Sequence, residues 1–285
     1  MNWSARLMII IIFCGLSCGK STYKTVYNNL DYLLYRQIDS YCDVSDVQKT
    51  WIKEHIASQL KWHRDEALPG YKEIIRFVQD NVKNGFTDKS YDMMNQKIRL
   101  EVKRIADHVA DDASDFMQTL SPQQIVHFRN ELASYNEKIE ERISDRKKDP
   151  QGERLRITVE MLERYYGDFS SAQKKRISEI LKSYPDVPSD EVKLKYLKET
   201  QSGFIALLES HADKKVLKKY MIEWGTRDEK FIPKYFSDSI KETERINKAI
   251  LFEVDKTVVT RQQREEGIAD FQGLIDSIDD IRHEK

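Results

Sequence analysis

His55 and His63 are the first residues to weigh as chemistry, because a pair of imidazoles can hold a metal ion or pass a proton. Read as one helix, the eight-residue step between them spans about 12 Å at 1.5 Å per residue, too far to share one ion. The surrounding run, Trp62-His63-Arg64-Asp65-Glu66-Ala67-Leu68-Pro69-Gly70-Tyr71, reads instead as a capped helix end. Trp62 turns into a core there and Arg64 meets a carboxylate. Trp62, His63, Arg64 and Tyr71 are kept as a candidate interaction surface. The other histidines, His108, His127, His211 and His283, are scattered. The chain carries no H-E-x-x-H, C-x-x-C, G-x-S-x-G, phosphate-binding loop or dinucleotide fingerprint. No catalytic residue, metal ligand or cofactor-binding residue is assigned, and no cofactor is expected.

A second kind of chemistry lies at the start of the chain. Arg6 precedes an apolar run from Leu7 to Phe13, followed by Cys14-Gly15-Leu16-Ser17-Cys18-Gly19-Lys20. This is the layout of a signal peptide, and the run is shorter than the roughly 20 residues that span a bilayer. Ser17 before Cys18 resembles the lipobox of bacterial lipoproteins. That resemblance implies removal of residues 1–17, acylation of Cys18, a lipidated tether at 18–21 and a body at 22–285. Gly15 and Leu16 depart from the usual order of that motif. An ordinary signal peptide or simple anchor is the alternative reading. By the sorting rule known for such proteins, Gly19 rather than Asp implies the outer membrane, facing the periplasm. The expected partners are the membrane, through the lipid, and envelope proteins.

Composition narrows the class. The 285 residues carry 47 Lys plus Arg against 48 Asp plus Glu, a net charge of −1. That balance argues against nucleic-acid binding, which needs a basic excess. Charged residues make up 33% of the chain, with 10 Gly and 6 Pro, a composition of long, solvent-laced helices. Once Cys18 is acylated, Cys42 is left alone and reads as a buried small hydrophobe.

Those helices must position whatever the protein does. Tyr23, Val26, Tyr27, Leu30, Leu33, Leu34 and Ile38 follow the three-and-four spacing of one helix face. No stretch alternates like a strand. The prolines mark places where helices break or begin: Pro69, Pro122, Pro150, Pro185, Pro188 and Pro233. An all-α multi-helix bundle without significant sheet is expected, allowing two lobes that meet near residues 149–152.

One short pattern recurs without a fixed period: apolar, Ser or Thr, two residues, Gln. It occurs as Val44-Ser45-x-x-Gln48, Leu120-Ser121-x-x-Gln124, Phe169-Ser170-x-x-Gln173 and Val259-Thr260-x-x-Gln263. Phe86-Thr87-x-x-Ser90 is a degenerate copy. Each is a capping box and marks a helix start. The set is similar to the Leu-Thr-x-x-Gln repeats of small periplasmic chaperones. Capping boxes also recur in any large helical protein, and both explanations stand at this point.

A longer resemblance covers Tyr27-Asn28-Asn29-Leu30-Asp31-Tyr32-Leu33-Leu34, Ile38-Asp39-Ser40-Tyr41, the Ser45 box, Trp62-His63-Arg64 and Leu68-Pro69-x-Tyr71. Glu163-Arg164-Tyr165-Tyr166-Gly167-Asp168-Phe169 continues it. These segments resemble a family of uncharacterised Gram-negative lipoproteins. The resemblance implies export, an N-terminal lipid and a helical fold, and brings no activity. The function expected is a non-enzymatic binding or envelope-maintenance role, chaperone-like in kind. The alternative is an envelope hydrolase or carbohydrate-modifying enzyme whose carboxylates converge only in the fold.

Overall fold

A computed structural model describes residues 20–187 and 189–283. The signal-peptide reading and Cys18 fall outside the described residues, as does Pro188. The helices are α1 (Lys20–Asn28), α2 (Leu30–Cys42), α3 (Asp46–Trp62), α4 (Leu68–Asn84), α5 (Asp88–Gln118) and α6 (Pro122–Arg146). They continue as α7 (Pro150–Tyr166), α8 (Ser171–Lys182), α9 (Ser189–Glu209), α10 (Lys214–Thr226), α11 (Lys234–Thr257) and α12 (Arg261–His283). The described residues contain no strand, so the fold is the expected all-α bundle.

Each recurrent box begins a helix. Ser45, Thr87, Ser121 and Ser170 accept the amide of the residue three positions on, and the side chain there returns the bond to the cap. At Thr260, Oγ1 accepts from Gln263 N at 3.2 Å and Gln263 Oε1 accepts from Thr260 N at 3.1 Å. Pro122 and Pro150 occupy first-turn positions of their helices, where a missing N–H costs nothing.

The glutamines also reach across to one another. Gln48 Nε2 donates to the Thr119 carbonyl at 3.1 Å, and Gln124 Nε2 donates to the Asp43 carbonyl at 2.9 Å and to Gln48 Oε1 at 2.7 Å. The same construction occurs again between α8 and α12. Gln173 Nε2 donates to the Val258 carbonyl at 3.0 Å and to Gln263 Oε1 at 2.8 Å, while Gln263 Nε2 donates to the Asp168 carbonyl at 2.8 Å. Every accepting carbonyl lies two residues before the opposite cap, where the chain has left its previous helix and its carbonyls lack helical partners. Each joint therefore ties two helix starts together about an approximate two-fold axis. Glutamine is required for this, since Oε1 serves its own cap while Nε2 serves the partner.

Two hydrophobic clusters sit beneath the joints. One gathers Cys42, Ile52, Ile56, Phe116, Leu120, Ile125, Phe128, Phe204 and Leu217 around the α3–α6 joint. The other gathers Leu68, Tyr71, Val82, Leu162, Tyr166, Phe169, Ile177, Val254, Phe271 and Ile278 around the α8–α12 joint. Both draw on segments from either side of Pro150. α5 links them, with Met94 in one and Phe116 in the other. At 31 residues it is about 46 Å long. α3 and α4 form a second rod across both clusters, with Ile52 and Ile56 at one end and Tyr71 and Val82 at the other.

Pro69 does not end a helix. The rod passes through it by a π-helical turn, His63–Ala67, in which Leu68 N–H donates to the His63 carbonyl five residues back. A proline inside an α-helix clashes with the carbonyl four residues before it and supplies no donor. The wider turn relieves that clash, so the helix end expected there is replaced by a bulge.

Backbones approach closely where α12 crosses α7. A Cβ at Gly267 would overlap the Tyr165 backbone carbonyl oxygen, and backbone yields less readily than a side-chain tip. Gly267→Ala is expected to lower stability by on the order of 2 kcal/mol in denaturant unfolding. The joints give a sharper test. Gln263, buried, should lose about 1–3 kcal/mol as Gln263→Glu, which keeps the cap acceptor and removes the cross-joint donor. Ser121→Ala, which removes one cap bond only, should cost about 1 kcal/mol. No loss from Gln263→Glu, while Ser121→Ala keeps its expected cost, would show that the cross-joint bond contributes nothing.

Candidate functional site

The π turn sets the register of the residues that the sequence singles out. It points His63 inward, between the phenols of Tyr27 and Tyr71. The Tyr27 hydroxyl lies 3.0 Å from Nδ1 and the Tyr71 hydroxyl 3.2 Å from Nε2. A neutral imidazole has one donor and one acceptor nitrogen, so one tyrosine donates to the ring and the other accepts. His63 is 8% exposed and Tyr71 is 1% exposed. Burial is the main cause that lowers the His63 pKa to about 4, with the Arg104 charge adding to it. Burial likewise raises the Tyr27 hydroxyl to about 12. His63 is therefore uncharged and Tyr27 protonated at neutral pH. The cluster binds α1, the π turn and α4 together.

Of the four residues kept as a candidate surface, two thus lie in the interior. Trp62 is half-buried and stacks on His108 with ring centroids 3.6 Å apart, and the Arg104 guanidinium lies 5.4 Å from its centroid. Arg64 lies over the Tyr27 ring at 5.8 Å. The structure brings all four to the π turn, but not onto one exposed face. His55 stacks on Trp51 at 3.6 Å and its Nδ1 bonds the Trp51 carbonyl. No group of His, Cys, Asp or Glu that could hold a metal ion occurs among the described residues. Cys42 is buried, and its thiol is pushed up to about 12, chiefly by burial.

Sequence reading missed a second interior cluster. The Tyr166 hydroxyl donates to Asp255 Oδ1 at 2.5 Å, and Arg264 Nη1 donates to the same oxygen at 2.7 Å. Arg264 also donates to the Val82 carbonyl at 2.9 Å and the Asp255 carbonyl at 2.6 Å. Four helices, α4, α7, α11 and α12, meet at this bolt. Burial, then the bond to the Asp255 carboxylate, pushes the Tyr166 hydroxyl far above its ordinary range. No local spacing announces it, because Tyr166 and Asp255 are 89 residues apart.

Glu101 is the most perturbed acid near the π turn. Its carboxylate packs against Gly70, where a Cβ would collide with it. Burial raises its pKa, Arg104 lowers it, and Glu73 raises it further. On the far side of the bundle an open groove of about 550 Å³ runs between α6 and α9. Ile143 and Leu194 line it among charged residues, with Lys147 paired to Glu191 at 3.0 Å and Lys198 to Glu140. The rim is electrically balanced. Nearby basic residues are also paired: Arg146 with Asp190, Lys148 with Asp145, and Arg156 with Glu153 and Glu160.

His63 yields a pH prediction. Its folded pKa is depressed, so the unfolded chain binds the proton more readily. The stability it contributes is complete above pH ~6.5 and falls as the pH drops toward ~4. Between pH 7.5 and pH 5 the loss should be about 2 kcal/mol in urea unfolding. His63→Gln keeps hydrogen-bonding groups without the titration. It should be less stable at pH 7.5 and should lose that much less stability over the same interval. An unchanged pH dependence in His63→Gln would remove His63 as its source.

No curated protein and no solved structure matches the chain. One family does, over residues 40–224. The match takes in α3 to α10, the whole α3–α6 joint and the Ser170 box, and stops before Gln263. It covers well over half of the chain, which therefore belongs to DUF6279, a family of unknown function.

Proposed function

We propose that this protein is a lipid-anchored protein of the Gram-negative envelope, facing the periplasm from the outer membrane, and that it acts by binding rather than by turnover. The observation that carries the reading is Cys18, placed after Ser17 and an apolar run, with the helical body beginning two residues later at Lys20. Supporting it, the two polar clusters described in the interior are committed to joining helices. His63 is held between two tyrosines, and Asp255 between Tyr166 and Arg264. The paired Ser/Thr-x-x-Gln boxes support a chaperone-like member of the binding class, with envelope proteins as its partners. Burying acyl chains contributes about 0.8 kcal/mol per CH₂, so more than one chain gives stable attachment.

Glu101 gives the enzyme alternative its best residue, since its raised pKa and its neighbour Glu73 are the features expected of a working acid. Two experiments separate the readings. Cells expressing Cys18→Ala and fed a labelled fatty acid should lose the label from this protein, and retained label would refute the anchor. The purified body should suppress aggregation of an unfolded client equally well as wild type and as Glu101→Gln. No suppression, together with loss of envelope-polymer turnover in Glu101→Gln, would replace binding with catalysis.

A further inference from the structure

The segment nearest the anchor carries an exposed side. α1 and α2 run almost as one helix, interrupted at Asn29, whose carbonyl still accepts the Leu33 amide at 3.1 Å. Tyr27 and Leu30 face the core at 4% and 3% exposure. The other side presents Thr25, Asn28, Asn29, Tyr32, Leu33 and Arg36, all exposed. Among these, Tyr32 is 60% and Leu33 45% exposed, two large apolar side chains in adjacent positions.

The anchor confines where that side can go. Lys20 lies two positions after Cys18, a reach of about 7 Å when fully extended. The start of α1 is therefore held at the membrane surface. Tyr32 lies twelve positions after Lys20, about 18 Å of helix. A rod standing upright would lift Tyr32 clear of the lipid, whereas a rod lying flat brings its exposed side onto it. The bundle already covers the opposite side. Tyrosine favours the layer where headgroups meet acyl chains, and arginine extends its charge outward while its stem lies on apolar surface.

We infer that the exposed side of the α1–α2 rod, centred on Tyr32 and Leu33, rests on the headgroup layer of the bilayer that holds the lipid anchor. This rests on the reading of Cys18 as the acylated residue. The asparagines and Asp31 make the contact interfacial rather than inserted. A second copy of the chain fits less well, because a stable interface needs about 800 Å² from each partner and the two apolar side chains supply a small part of that.

The test uses the full mature protein, purified from membranes and reconstituted into phosphatidylethanolamine and phosphatidylglycerol vesicles with brominated acyl chains. Tyr32→Trp and Val216→Trp, both at exposed positions, each add one reporter to the native tryptophans. Mass spectrometry of each sample reads acylation at Cys18. On acylated protein, the reporter at position 32 should shift to the blue and be quenched several-fold more than the one at 216. Acylated protein with equal quenching at both positions overturns the orientation and leaves the anchor standing. A blue shift at 32 without bromine quenching assigns the surface to protein contact and also overturns it. An unacylated Cys18 overturns the anchor reading, and this inference falls with it.

Discussion

The fold depends on a side-chain amide used at both ends. In a capping box with glutamate, the carboxylate serves its own helix and has nothing left to donate. Glutamine serves its own cap through Oε1 and has two N–H groups free. In this protein those groups reach the partner joint, as with Gln124 on the Asp43 carbonyl and Gln263 on the Asp168 carbonyl. The bond joins chain segments 81 and 95 residues apart. A local signal for starting a helix thereby becomes a tertiary clamp. The clamp also satisfies carbonyls that the preceding helix ends leave open.

Everything else is arranged around two such clamps. The apolar residue before each cap packs into the cluster beneath its joint, with Leu120 and Phe169 buried and Val44 and Val259 partly so. The α3–α4 rod and α5 then tie the clusters together. Their long exposed faces are lined with ion pairs such as Lys103–Asp107 and Lys61–Asp65, which at such exposure contribute at most about 1 kcal/mol each. The surface chemistry that dominates the composition thus does little to choose the fold. The choice is made by the joints, the clusters and the Tyr166–Asp255–Arg264 bolt, which has the desolvation that makes a broken partner costly.

The sequence disclosed what local physics controls. Helix starts at Ser45, Thr87, Ser121, Ser170 and Thr260 were legible because a cap is settled within four residues. The all-helical class was legible from periodicity and composition. Partnership was not legible: nothing in Val44-Ser45-x-x-Gln48 says that Gln48 meets the Thr119 carbonyl rather than water. Pro69 misled for a related reason. Proline states that the α-helical ladder must give way, and it leaves open whether the chain turns aside or widens into a π turn. That choice brought Tyr71 onto the inward side shared with His63, since a π turn shifts the register of the residues after it. The Tyr166 bolt left no trace, because its members share no spacing and tyrosine, aspartate and arginine are common throughout the chain.

The π turn and the tyrosine–histidine cluster explain each other. Bulges of this kind recur at functional sites, yet this one turns its histidine into the core and matches it there with two tyrosines. Its effect is on the N-terminus. By aiming His63 at Tyr27, the bulge gives α1 a buried hydrogen bond in addition to the packing of Tyr27 and Leu30. A nine-residue helix is marginal in isolation, and α1 needs such an attachment to stay folded against the bundle. The distortion at Pro69, far along the rod from the α3–α6 joint, thus goes with a buried polar attachment of the first helix that adds to its packing.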